Sequence, residues 1–162
     1  MKMIATVFGL GHLRPAPGTW ASAAAIGVGL VIDRFLGAPI LALATLVVTA
    51  VGFWACGRYL SGLADQDPDE VVIDEIAGQW LALLFPSLAF WFNGHDGWLP
   101  WPAYVSAFLF FRLFDIWKPW LVGRADRRHD PAGVMLDDLW AGLFAGICVI
   151  ITGIAYHVIF IF

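Results

Sequence analysis

The segment VVIDEIAGQW (residues 71–80) places two adjacent acids, Asp74 and Glu75, at the mouth of a run that carries no charge from residue 76 to residue 95. GVMLDDLWAGLF (133–144) repeats the arrangement with Asp137 and Asp138. Both segments read Asp, two residues, Ala, Gly, from Asp74 to Gly78 and from Asp138 to Gly142. An uncharged run of this length predicts a helix that enters a bilayer. Paired carboxylates at its entrance either cap the helix N-terminus and favour its dipole, or carry out chemistry at the membrane edge.

Composition agrees with lipid as the solvent. The 162 residues are 60% hydrophobic and 14% charged, with a mean hydropathy of +0.79, against about 45–50% and about 25% in an ordinary soluble domain. A net charge of −4 offers no basic surface for nucleic acid. Cys56 and Cys148 each sit inside an apolar run, so a disulfide framework or a cysteine metal site has no support. His12 and Arg14 interrupt the short N-terminal apolar stretch, which reads as retained and not as a signal peptide.

Residues 15–32, 35–57, 76–95, 97–111 and 139–162 are uncharged. They predict helices near 20–35, 40–61, 74–92, 102–118 and 137–160, joined by a GAP turn, an acidic loop, the loop NGHDGWLPWP and a basic loop. The expected fold class is all-α: one domain, 1–162, an integral membrane helical bundle of about five embedded helices with its active site at the cytoplasmic edge. Alternating crossings put Lys2, Arg14, Arg58, Arg112, Lys118, Arg124, Arg127 and Arg128 on or near one face and Arg34 on the other. By the positive-inside rule the first face is cytoplasmic.

The same map gathers Asp74, Glu75, Lys118, Asp137 and Asp138 on that face. Sixteen of the 22 charged residues fall in the windows 65–75 and 112–138; the first window holds six acids and no base. Such a carboxylate surplus repels itself unless cations sit among it. Hard oxygen ligands from separate helices favour Mg²⁺ or another hard divalent ion, with Asp74, Glu75, Asp137 and Asp138 as the candidate ligands. The Ala-Gly steps would let the two helices approach closely enough to share it.

In FRLFDIWKPW, Arg112, Asp115 and Lys118 recur every three residues and share a helical stripe. An Arg and a Lys beside a metal suit a phosphate; an intrahelical ion pair with a snorkelling lysine is the plainer account. Arg14, Thr19 and Arg124 are further candidates for phosphate oxygens, Thr19 being equally suited to an N-cap. Other patterns fail: Asp65, Asp67 and Asp69 imitate the start of a calcium loop, but its sixth position is Glu70 where glycine is required.

In RPAPGTWAS, VVIDEIAGQW, FRLFDIWKPW and GVMLDDLWAG, in that order over nearly the whole chain, the sequence resembles the phosphatidylglycerophosphatase A family. It departs from that pattern at Ala21, at Leu121 and at Asp130-Pro131, the last two bordering a loop that should be shorter or stiffer than usual. The resemblance implies a Mg²⁺-dependent bacterial inner-membrane phosphatase that removes the terminal phosphate of phosphatidylglycerol phosphate, with a phospholipid substrate and no obligate protein partner. Asp74, Asp115, Lys118 and Asp138 are then the candidate catalytic residues. Asp115 would orient Lys118 or accept the proton of attacking water, and an aspartyl-phosphate route stays open. Two alternatives remain: a membrane phosphotransferase, whose spaced-acid signature is missing, and an ion-coupled transporter, which would carry charges at mid-membrane where these runs have none.

Overall fold

The computed structural model describes residues 1–63 and 68–160, so Asp65 and Asp67 lie outside the described residues. The regular elements are all helical: α1 (Lys2–Ala5), a 3-10 turn (Leu10–His12), α2 (Pro17–Leu36), α3 (Ala38–Leu60), α4 (Ile73–Phe92), α5 (Trp101–Trp117), α6 (Trp120–Asp126) and α7 (Pro131–Phe160). Pro17 stands in the first turn of α2, where a missing amide proton costs nothing. Gly37, at φ 82°, both ends α2 and starts α3, a left-handed conformation open to glycine. This is the expected GAP turn.

α2, α3, α4 and α7 are long and apolar enough to cross a membrane. α5 is the exception among the five expected crossings: its 17 residues rise about 26 Å, short of a hydrocarbon core of roughly 30 Å. It stops where the sequence suggested, because Lys118 turns left-handed (φ 50°) ahead of Pro119. Apolar side chains such as Leu46, Val47, Ile151 and Ile154 face outward, and each is more than half exposed. An exterior of that kind is satisfied by lipid.

The basic loop expected between 119 and 136 is instead largely helical. α6 buries Val122 and Ala125 beneath it, and α7 begins at Pro131, six residues before the acid pair. The cause is local: the Asp130 carboxylate accepts the Gly133 amide at 2.6 Å, with proline following it in the first helical position. Asp137 and Asp138 are therefore interior to a helix and cannot be its N-terminal caps.

α4 is the central helix, packing against α2, α3, α5 and α7, and its buried positions include Ala77, Gly78 and Ala82. It crosses α7 at two glycines. A Cβ on Gly78 would stand 2.5 Å from the Asp138 carbonyl oxygen, and one on Gly142 would overlap the Gly78 carbonyl. The close approach expected of the Ala-Gly steps is thus present, with no room for a methyl group on either helix.

Candidate active site

The glycine crossing brings the acid pairs to the end of the bundle where α2, α4 and α7 begin and α5 ends. Glu75 from α4, Asp115 from α5 and Asp138 from α7 each offer a carboxylate oxygen, and these oxygens lie within 4.8 Å of one another. Arg112 is the counter-charge: its Nη1 is 2.7 Å from Glu75 Oε2 and 2.8 Å from Asp115 Oδ2. The Ser22 hydroxyl lies 2.9 Å from both Glu75 Oε2 and the Gly18 carbonyl, and its one proton can go to either. Asp138 is 4% exposed, and no hydrogen bond or ion pair among the described residues reaches its carboxylate. Arg112 Nε is also buried without a partner. Two unit charges 4 Å apart interact by ~4 kcal/mol at an effective dielectric of about 20, so one guanidinium leaves three converging carboxylates strongly under-compensated.

Asp74 and Asp137 behave differently. Each turns one oxygen back onto the next amide of its own helix, Asp74 to Glu75 N–H at 2.9 Å and Asp137 to Asp138 N–H at 3.0 Å. Both still line the cleft that contains the trio. Of the four acids predicted to hold a metal, Glu75 and Asp138 therefore converge. Asp115, expected to work on a proton or on Lys118, completes the convergent set.

Lys118 is held elsewhere than expected. Its ammonium bonds Asp126, and Asp137 at 3.2 Å, while Asp115 is taken by Arg112. The orienting role suggested for Asp115 thus falls to Asp126 and Asp137. The three-residue stripe fails at its last member because the left-handed turn at Lys118 leaves the helical phase. Burial pulls the Lys118 pKa down, but the Asp126 hydrogen bond and the nearby Asp137 charge outweigh it and hold the pKa well above the ordinary lysine value. Lys118 is a fixed cation.

Arg14 and Thr19, from the segment entering α2, line the same cleft of about 340 Å³. Arg14 also pairs with Asp69 at 3.3 Å. Arg124 is exposed on α6 and is not among the cleft residues. Among the described residues, six carboxylates (Asp69, Asp74, Glu75, Asp115, Asp137, Asp138) and three cations (Arg14, Arg112, Lys118) stand around the cleft.

Three residues escaped the sequence reading. Asp126 lies beyond the break at Lys118-Pro119, so no helical spacing ties it to Lys118. Ser22 follows Thr19 by three residues in a helix whose small polar residues look like packing. Gln79 is one turn beyond Glu75, fully buried, with both amide atoms lacking a partner; a glutamine in an otherwise apolar membrane run was the available signal.

The donor set fits a hard cation: all carboxylate, drawn from three helices, with one buried member lacking a protein partner. Comparison with known proteins identifies the family. A family model described as Phosphatidylglycerophosphatase A matches residues 3–153. A Haemophilus influenzae protein named Phosphatidylglycerophosphatase A is 32% identical over 92% of this chain and 86% of its own length. An Escherichia coli protein of the same name is 31% identical over 96% of this chain and 81% of its own. A Bacteroides thetaiotaomicron protein, named as a candidate phosphatidylinositol-3-phosphatase, is 34% identical over 93% and 91%. No solved structure matches. A match spanning all four motifs, on a bundle whose glycine crossing assembles their acids, means that the chain belongs to the phosphatidylglycerophosphatase A family.

Proposed function

We propose that the chain hydrolyses the terminal phosphomonoester of phosphatidylglycerol phosphate, releasing phosphatidylglycerol and inorganic phosphate, with Mg²⁺ held by Glu75, Asp115 and Asp138 at the cytoplasmic membrane edge. The observation that carries this reading is the charge imbalance of the cleft, six carboxylates against three cations. An anionic phosphate is repelled from such a cleft unless a multivalent cation enters with it or before it. A divalent ion there would polarise the phosphoryl group and make a water molecule more acidic.

Arg112 and Lys118 bind the phosphoryl oxygens and stabilise charge that grows in the transition state. Lys118, kept protonated, donates hydrogen bonds and takes no proton. Asp74 accepts the proton of the attacking water as the new P–O bond forms and passes it to the glycerol oxygen as the bond to that oxygen breaks. Arg14 and Thr19, at the entrance of α2, contact the outer phosphate oxygens. The acyl chains stay in the bilayer, and exposed Leu113, Ile116 and Trp117 on α5 provide an apolar wall beside the cleft.

Phosphate release from short-chain phosphatidylglycerol phosphate in detergent should require Mg²⁺ and vanish with EDTA; full turnover in excess EDTA would remove the metal. The name of the Bacteroides relative supports a second substrate, because the cleft grips a phosphomonoester and not the alcohol that bears it. Phosphatidylinositol 3-phosphate and a soluble phosphomonoester belong in the same assay. Equal efficiency on all three would refute the glycerol lipid as the preferred substrate while leaving the phosphatase chemistry standing. For orientation, a cysteine replacing Arg128 in a background lacking Cys56 and Cys148 should label only from the cytoplasm, and one replacing Asn93 only from outside.

A further inference from the structure

At the opposite end of the bundle lies a second cleft, also of about 340 Å³, formed by the α2–α3 turn, the end of α4 and the loop after it. None of the catalytic groups reaches it. Arg34, the one Lys or Arg expected on that face, lines it together with Asp33, Ser87 and Asp96. Arg34 is poorly compensated. Its nearest carboxylate, Asp96, is 4.0 Å away and 99% exposed, and an ion pair of that kind contributes little. The guanidinium is instead positioned 5.7 Å over the Phe35 ring, an arrangement that orients it without neutralising it. Asp33 is half-buried and accepts a hydrogen bond from the buried Ser87 hydroxyl. A carboxylate can accept about four hydrogen bonds, so most of its capacity remains.

The surroundings fix the depth of the cleft in the membrane. Phe35, Trp91 and Trp98 around it are largely exposed, and Phe35 packs edge-on against Trp98. Aromatic side chains collect in this way at the level of lipid headgroups. Asp33 beside Arg34 makes the cleft selective. A ligand that is only anionic meets Asp33, and one that is only cationic meets Arg34. A ligand bearing both charges satisfies both sides, and the aromatic rings add a favourable surface for an ammonium group.

We infer that this cleft binds the headgroup of a zwitterionic, amine-bearing phospholipid in the leaflet opposite the active site. Its phosphate lies on Arg34 and its ammonium on Asp33. The site is separate from catalysis and anchors the far end of α2 and α4 to the bilayer.

Native mass spectrometry of the detergent-purified protein, titrated separately with phosphatidylethanolamine and phosphatidylglycerol, tests this. The wild type should retain phosphatidylethanolamine, and its retention of phosphatidylglycerol, the lipid the active-site cleft releases, should not depend on Arg34. Arg34→Gln should weaken phosphatidylethanolamine retention by about tenfold, the scale of one charge-assisted contact, and leave phosphate release unchanged within about twofold. Undiminished phosphatidylethanolamine binding by Arg34→Gln would overturn the assignment. An equal loss of phosphatidylglycerol retention in Arg34→Gln would also overturn it, since the headgroup charge would then not be read at this cleft.

Discussion

The two acid pairs share a sequence pattern but divide their work by position within the pair. In each, the first acid turns an oxygen back to its own helix, Asp74 to the Glu75 amide and Asp137 to the Asp138 amide. The second acid of each pair, Glu75 or Asp138, points to the shared trio. Their compensation differs. Glu75 has Arg112 and Ser22, whereas Asp138 is buried with no hydrogen bond or ion pair among the described residues. An adjacent acid pair on a helix therefore supplies one group fixed by its own backbone and one available to a ligand, since neighbouring residues on a helix point about 100° apart. The uncompensated member marks where a cation is most needed.

The most direct way to break this division is to remove one charge at a time. Asp138→Asn should lower turnover by ~10³-fold, the upper range for losing a fixed transition-state stabiliser, and shift the Mg²⁺ midpoint to higher concentration. It should also abolish thermal stabilisation of the protein by Mg²⁺, because an ion that binds only the folded state stabilises by mass action. Asp74→Asn should cost about 10²-fold, as for loss of a general base, with the Mg²⁺ midpoint unchanged within about twofold. Matching midpoint shifts in the two variants would erase the distinction between first and second acids.

Much of this site was legible before any coordinates. The repeated Asp-x-x-Ala-Gly pattern indicated that two helices meet closely beside their acids, and the crossing at Gly78 and Gly142 is that meeting. That α2, α3, α4 and α7 are long and apolar enough to cross a membrane followed from their apolar runs. What escaped was fixed by interactions local to a break. The Asp130 cap extends α7 six residues ahead of the acids, and the left-handed Lys118 removes it from the stripe of Arg112 and Asp115. Helical periodicity carries no information across such a break, so neither α6 nor Asp126 could be tied to the site by spacing.

The crossing itself offers a gentler perturbation. Gly142→Ala places a methyl group on the Gly78 carbonyl oxygen, and backbone cannot rotate aside as a side chain can. Forcing the helices apart should cost about 1–3 kcal/mol, the usual range for overpacking, read as earlier thermal unfolding in detergent. Turnover should fall about tenfold or more, since displacements near 1 Å are costly for positioned groups. Gly153→Ala on the same helix, with open space around its Cβ position, is the control and should change neither quantity. If Gly142→Ala retained full activity and stability, the glycine crossing would not be what holds the two acid pairs together.

The smallest expected effect concerns Lys118, the lysine that bonds Asp126 and Asp137. Lys118 has its pKa held above the ordinary value of 10.5 by Asp126 and Asp137, against the opposing effect of burial. A folded pKa above the unfolded one contributes stability that is fully present below the unfolded value and is lost as pH rises through the folded one. Lys118 should therefore add no slope to stability between pH 6 and about 9.5, nor an inflection to the rate over that range. Asp137→Asn removes one of its two carboxylate partners among the described residues and leaves Asp126. The Lys118 pKa should then fall toward its ordinary value, and any alkaline loss of activity traceable to Lys118 should begin at lower pH than in the wild type. The pH–rate profiles of the wild type, Asp137→Asn and Lys118→Arg measure this, because arginine keeps its charge throughout and should remove a limb caused by lysine deprotonation. An alkaline limb that persists unchanged with arginine at this position would assign it to another group, and Lys118 would be a charge the reaction never titrates.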